Sequence, residues 1–174
     1  MSGQLPQVRW TIERAFDGTP VAAREHVQLA LAPQRDAWVV AVDAPFHDDP
    51  PPTAAPGSTD GLWDHEVVEL FLLAPPDHYL EIELGPHGHY LVLELRGQRN
   101  VVRSGLQIEY RANVADHRWT GTATIPLAYV PAGATRANGY AISGAGEQRR
   151  YLAYYPVPGD RPDFHRLECF GPLR

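Results

Sequence analysis

Seventeen prolines and fifteen glycines in 174 residues break this chain so often that little room remains for long helices. Between the breakers, short apolar and aromatic runs recur at 27–31, 38–42, 67–73, 79–84, 89–95, 106–114, 119–124, 140–143 and 151–155. Short strands at regular spacing, separated by turn signals, predict an all-β fold, an antiparallel β-sandwich of jelly-roll or immunoglobulin-like type. At most one short helix is expected, over 125–130, where Pro126 suits a first helical turn. The segment 48–60, DDPPPTAAPGSTD, is too rich in proline to pair as a strand and reads as a surface loop. The length suits one domain, 1–174, able to bury roughly 70% of its unfolded surface without disulfides.

Composition narrows the partners. Apolar content of 44% and charged content of 21% belong to a globular, water-soluble chain. Lysine is absent, and the fifteen basic residues are all arginine. A net charge of -6, with no basic cluster beyond Arg149-Arg150, predicts no nucleic-acid partner and no anionic membrane surface. Cys169 has no cysteine to pair with, and MSGQLPQVRW lacks the apolar core of a leader, so a cytoplasmic location is expected. No run approaches the ~20 apolar residues of a membrane-spanning helix. Oligomeric state is not legible.

The stretch from Gly61 to Val101 holds the chemistry. Tyr79 to Leu84 and His89 to Leu95 flank Gly85-Pro86-His87-Gly88, which reads as a hairpin closed by a four-residue loop. In that register Glu83 opposes Tyr90, Glu81 opposes Val92 and Tyr79 opposes Glu94. Leu80, Ile82, Leu91, Leu93 and Leu95 then supply the core from the other face. A slip of one residue would bury the carboxylates. The preceding strand sets Glu69 between Val67 and Phe71. The expectation is therefore one polar sheet face bearing Glu69, Tyr79, Glu81, Glu83 and Tyr90, with Trp63 at its entrance and Arg96, Arg99 and Asn100 at its exit.

Such a face has several readings. Side chains two apart on a strand start about 6.5 Å from each other, so Glu81 and Glu83 could act as the acid and base of glycoside hydrolysis. The same spacing occurs on any solvated strand neutralised by neighbouring arginines, or on a face whose carboxylates accept hydrogen bonds from ligand hydroxyls. Trp38 and Trp119 lie in apolar runs and read as packing residues. Trp63 closes a proline- and glycine-rich loop among Asp60, Asp64 and His65, where an exposed indole could stack on a sugar ring. Eight histidines are scattered without zinc-type spacing, and no HExxH helix occurs. A haem or transition-metal site therefore has no motif behind it. Calcium fits better as a cofactor, because the loops 43–49 and 60–64 offer the oxygen ligands it prefers. Nothing names an enzyme: there is no GxSxG elbow, and GPHGHY joins two strands instead of opening a helix.

Longer strings carry a resemblance. WDHEVVELFL, YLEIELGPHGHYLVLELRGQRNV and ANGYAISGAGEQRRYLAYYPVPGDRPDFHRLECFG, with AFDGTPV and APFHDDPPP, resemble a single-domain family found in bacteria and animals that includes the human chromosome-four open-reading-frame protein. More remotely, Trp63-Asp64, Glu66, Glu69 and Phe71, together with the PDFH…FG ending, are similar to carbohydrate-binding module family 9 and the wider DOMON-like domains, some of which bind sugars and others haem. That resemblance implies a β-sandwich. It also implies two aromatics enclosing a terminal sugar while glutamate, arginine and asparagine hold its hydroxyls. Trp63 and Glu69 match one aromatic and one carboxylate in spacing; Tyr154, Tyr155 or Phe164 would have to supply the second aromatic.

The preferred reading is a non-catalytic module for a small polyhydroxylated ligand, such as a saccharide, at Trp63, Glu69, Tyr79, Glu81, Glu83, Tyr90, Arg96, Arg99 and Asn100. Two alternatives stay open. One is a small enzyme using a glutamate with His65 or His89 as acid and base. The other is a haem- or metal-binding sandwich.

Overall fold

The computed structural model describes residues 7–174, so most of the segment behind the leader argument, residues 1–6, lies outside the described residues. The strands, in chain order, are β1 (Val8–Ile12), β2 (Val27–Pro33), β3 (Ala37–Pro45), β4 (Gly57–Ser58), β5 (Val67–Ala74), β6 (His78–Leu84), β7 (His89–Arg96), β8 (Val101–Arg103), β9 (Glu109–Ala115), β10 (Arg118–Pro126), β11 (Arg136–Ser143), β12 (Arg150–Ala153) and β13 (Gly171–Pro172). The helical elements are single 3₁₀ turns such as Leu62–Asp64 and Leu127–Tyr129, the latter inside the stretch where a short helix was expected. The fold is an all-β sandwich.

One sheet runs β1-β2-β3-β10-β9, and the other β12-β11-β5-β6-β7-β4, with β13 added to β11 and β8 to β7. Pairing is antiparallel except between β4 and β7. Alternation on β1, β2, β3 and β10 turns Trp10, Leu29, Val40, Val42, Trp119 and Ile125 inward. They meet Val68, Leu70, Leu72, Leu80, Ile82 and Val92 of the second sheet in the sandwich interior.

The second sheet is unusual in burying its outer face as well. Val67, Phe71, Leu73, Tyr79, Leu93, Tyr140 and Ile142 on that face form a second apolar cluster, closed over by Leu62, Val157, Phe164 and Phe170. A strand buried on both faces should read as a near-continuous apolar run, and VVELFLLA in β5 is buried at every position. The second sheet thus lies between the first sheet and a cover formed by the turn at 62–64, the loop 144–149 and the segment 154–170.

The β6–β7 hairpin departs from the sequence expectation by one residue. Leu84 pairs with Tyr90, Glu83 with Leu91, Glu81 with Leu93 and Tyr79 with Leu95. The cause is the turn. The Gly85 amide bonds the His89 carbonyl at 2.9 Å, leaving a three-residue loop whose last residue, Gly88, has φ +85. Three-residue hairpins end in a left-handed position of this kind, which glycine fills without strain. The single-residue slip moves Leu91, Leu93 and Leu95 to the outer face beside Glu81 and Glu83, and sends Tyr90 and Val92 into the sandwich interior.

Two further expectations are corrected. The proline-rich segment 48–60 contributes β4, because Gly57 and Ser58 follow its last proline and reach the free edge of β7. The strand expected over 106–114 begins only at Glu109, since Leu106 instead tucks into the interior.

Candidate functional site

On the outer face of the second sheet, neighbouring strands set Tyr140, Glu69, Glu83 and Leu91 in one row. The next row holds Asn138, Phe71, Glu81 and Leu93, and β6 and β7 follow with Tyr79 and Leu95. Glu69 and Glu83 are directly opposed across the β5–β6 ladder, where two like charges repel. All three glutamates are buried, and each offers an oxygen within 4.8 Å of the others. The expected solvated face is therefore a sunken one.

Above the row lies a cavity of about 420 Å³, with Glu69 and Glu81 in its lining. Its walls come from four parts of the chain: Trp63 and Asp64, Leu93 to Val101 including Leu95 and Arg99, Ile142 to Tyr151 including Arg149, and Pro162 to His165. Trp63 is 42% exposed. Its carbonyl accepts a hydrogen bond from Arg149, which also bonds the carbonyls of Asp64 (3.0 Å) and Gly144 (2.9 Å). The backbone of the turn is thus clamped while the indole stays free. Gly144 is fixed in its turn, because its amide donates to Asp49 at 2.6 Å and its φ is +78. A Cβ there would stand 2.4 Å from the Gln148 carbonyl oxygen.

The opposite wall hangs on buried polar contacts. Asn138 donates to the Tyr155 carbonyl and accepts from its amide, both at 2.9 Å, and donates to the Tyr140 hydroxyl, also at 2.9 Å. The Tyr140 hydroxyl in turn donates to the Phe164 carbonyl at 3.1 Å, and the two rings stack 3.8 Å apart. Tyr79 lies beneath this wall. Its oxygen accepts from the Arg99 amide at 3.0 Å and stands 2.7 Å from His165 Nδ1, a contact to which we assign the phenol proton. That bond leaves His165 with its proton on Nε2, 3.8 Å from Glu81. Arg99 is held by Asp163 at 2.5 Å.

The electrostatics follow from burial. Desolvation pushes the Glu69 carboxyl well above the ordinary carboxylate range, with the Glu81 charge adding to it and Arg149 opposing it. Glu83 is raised likewise, by desolvation and then by the charges of Glu69 and Glu81. Glu81 is also raised by burial, to about 7, with a hydrogen bond from the Glu83 carboxyl and then Arg99 opposing. His165 is pushed down to about 4 by burial, helped by Arg99, and so remains a neutral donor.

The structure gathers Trp63, Glu69, Glu81 and Arg99 at the cavity, with Glu83 and Tyr79 directly beneath its floor. Three residues lie elsewhere. Tyr90 faces the sandwich interior and bonds Gln107 at 3.0 Å, as the hairpin register requires. Arg96 is exposed beside Glu94, and Asn100 closes its own turn by donating to the Arg96 carbonyl at 2.8 Å. Neither His65 nor His89 reaches the cavity; their rings bond the carbonyls of Pro50 and Ala54. In the stretch 43–49, one of the two expected to suit calcium, Asp43 pairs with Arg118 and Asp49 accepts from the Gly144 amide. Of the aromatics considered as a second platform, Tyr154 stacks on Trp10 at 4.8 Å, Tyr155 bonds Pro172, and Phe164 lines the cavity. Arg149, Tyr151 and His165 were not singled out as ligand residues. Only their place within the strings EQRRY and PDFH marks them.

Comparison with known proteins agrees with this architecture. The fold is that of carbohydrate-binding module family 9 domains. One from Caldicellulosiruptor kristjanssonii, solved with cellotriose, superposes with a TM-score of 0.55 at 13% identity over 84% of this chain and 72% of that one. A module of the same family and organism solved with glucose gives 0.57 at 11% identity, over 94% and 81%. A Bacteroides uniformis structure described as a "putative carbohydrate-binding protein" gives 0.74 at 15% identity, over 95% and 84%. No protein-family model matches the chain. Sequence relatives are far nearer: the human UPF0462 protein C4orf33 is 43% identical over 168 residues, covering 91% of this chain and 84% of that protein. The mouse homologue is 44% identical over 171 residues (93% and 88%), and the zebrafish homologue 42% over 168 (91% and 85%). This chain belongs to the UPF0462 family of C4orf33 proteins.

Proposed function

We propose that the cavity binds a saccharide, and that the protein acts as a carbohydrate-binding module. The observation that carries this reading is the meeting, in one cavity of about 420 Å³, of a half-exposed indole with buried acceptors and fixed donors. The volume falls within the roughly 300–1,000 Å³ of small-ligand sites. Trp63 would stack on the apolar face of a sugar ring, with Phe164 and Tyr151 supplying apolar surface below. Glu69 and Glu81 would accept from hydroxyls, while Arg99 and the Nε2 proton of His165 donate. Charged hydrogen bonds in a partly desolvated site offset the loss of hydration of a polar ligand. The sugar-bound modules that share the fold support the same class of ligand.

The test is calorimetric titration with mono- and disaccharides on wild type and Trp63→Ala. The indole is exposed and its backbone clamp does not use the side chain, so the variant should keep the wild-type melting temperature while its affinity falls at least tenfold. Unchanged saccharide affinity in Trp63→Ala would remove the indole from the site. A well-folded wild type that binds no saccharide would end the reading.

A second reading is favoured by one observation, two buried carboxyls facing the sunken pocket, Glu69 raised well above the usual range to serve as the acid and Glu81 raised to about 7 to serve as the neighbouring carboxylate. A carboxylic acid kept protonated near neutral pH is what a glycosidase needs to protonate the leaving oxygen, with a neighbouring carboxylate attacking the anomeric carbon or activating water. Steady turnover of an aryl glycoside would decide for it, and binding without turnover against it.

A further inference from the structure

We propose that Glu69, Glu81 and Glu83 together hold a hard divalent cation, calcium fitting best, at the bottom of the cavity. One oxygen from each lies within 4.8 Å of the others. That span does not exceed twice a calcium–oxygen distance of about 2.4 Å, so no pair of the three is too far apart to share one ion. A second observation concerns partners. Glu83 is fully buried, yet its only hydrogen-bonding neighbour is another acid, the Glu81 carboxyl, and no amide, hydroxyl or cationic donor reaches either of its oxygens or Glu81 Oε2. Buried carboxylates ordinarily carry either a cation or a full set of donors.

The chain offers no cationic side chain in that place. It has no lysine, and among the described residues no arginine comes within 4.0 Å of any of the three carboxylates. Arg99 is committed to Asp163, and Arg149 to the carbonyls of Trp63, Asp64 and Gly144. His165 cannot serve as a ligand through Nε2 while Tyr79 donates to its Nδ1. The donor set is therefore all oxygen, which suits calcium or magnesium better than zinc or copper. Carboxylates that can bind through one oxygen or two match calcium's flexible shell more readily than magnesium's strict octahedron. Glu69 and Glu81 open on the cavity, so an ion can enter and would keep free coordination positions facing whatever hydroxylated ligand occupies the space.

The experiment uses the full chain stripped with EDTA, without sugar, so that its outcome is separate from that of the saccharide reading. Calorimetric titration with calcium, magnesium and manganese at pH 7.5 should show one saturable site. Calcium at 100 times its dissociation constant should raise the folding equilibrium constant about a hundredfold and the melting temperature with it. Glu83→Gln should abolish that shift while melting above the stripped wild type, because it removes a buried charge opposite Glu69. Glu69→Gln should behave the same way, whereas Glu109→Gln, on an exposed strand, should bind as wild type does. A folded, stripped wild type that binds none of the three ions at millimolar concentration would overturn the proposal and leave protons as the neutralising species. Undiminished calcium binding by both Glu83→Gln and Glu69→Gln would overturn it equally.

Discussion

Glu66 accepts the amides of His47 (3.0 Å) and Asp49 (3.4 Å), and so ties the start of the proline-rich segment to β5. Burial pushes its carboxyl up to about 7. Because the folded value lies above the unfolded one, the stabilisation linked to this group is fully present below about pH 4.5 and is lost as pH rises through 7. Burial lowers His47, which works in the opposite sense: its contribution is present above its ordinary value of 6.5 and is lost as pH falls. Glu66→Gln removes one of these two opposed slopes. The variant's urea midpoints between pH 4.5 and 7.5 should therefore decline less steeply with rising pH than those of wild type. An unaltered profile would mean that Glu66 is ionised throughout. At the same scale, Tyr79 shows how a side chain with the right spacing can serve a site indirectly. Its alternation put it on the polar face, but its hydroxyl works beneath the cavity, fixing the Arg99 backbone and the His165 tautomer.

At the scale of elements, the β6–β7 hairpin shows where sequence reading succeeds and where it stops. The alternation of apolar residues located β2, β3, β5, β6, β7, β10, β11 and β12 because each buries at least one face, and burial writes itself into the residue pattern. β4 and β13, two residues each, owe their pairing to a partner elsewhere and carry no pattern of their own. The register of β7 hinged on whether Gly85 joins the ladder or the loop, a choice no alternation encodes. Gly88 settles it, and a prediction follows from its surroundings. Gly61 and Gly88 are both left-handed, at φ +72 and +85, but a Cβ on Gly61 meets nothing within 4 Å, whereas one on Gly88 stands 3.3 Å from Pro56 Cβ. Each alanine variant should lose about 1–2 kcal/mol from backbone strain. Gly88→Ala should lose more than Gly61→Ala in urea unfolding, because Pro56 must also yield. Equal losses would show that the contact is slack.

For the molecule as a whole, the decisive fact is that one sheet is buried on both faces. That fact hid the site from sequence reading. Glu69, Glu81 and Glu83 look like solvent-facing residues until the segment 154–170, some seventy residues or more further along, folds down over them. The ingredients near Trp63 were therefore legible, and Phe164 stood among three candidate aromatics, while Arg149, Tyr151 and His165 were not, since only the tertiary fold brings them to the cavity. The cover is fastened by few polar contacts, with Asn138 at their centre. Asn138→Ala leaves the amide and carbonyl of Tyr155 without their partner, at about 1–3 kcal/mol for each buried group. In hydrogen exchange, amides of 154–166 in this variant should exchange markedly faster, while those of β2, β3 and β10 keep wild-type protection. Uniform acceleration across both sheets would mean that cover and sandwich open as one unit.

The dependence of the cavity on that late segment also sets an order of events during synthesis. A ribosome delivers β5, β6 and β7, with their three glutamates, well before it delivers Pro162 to His165. A nascent chain can lay down β1 to β12 and still have no pocket, its carboxylates open to water and charged. The cavity is thus complete only once the segment 154–170 has been made and packed down, and its acids are dehydrated at that step, well after their own strands were laid down.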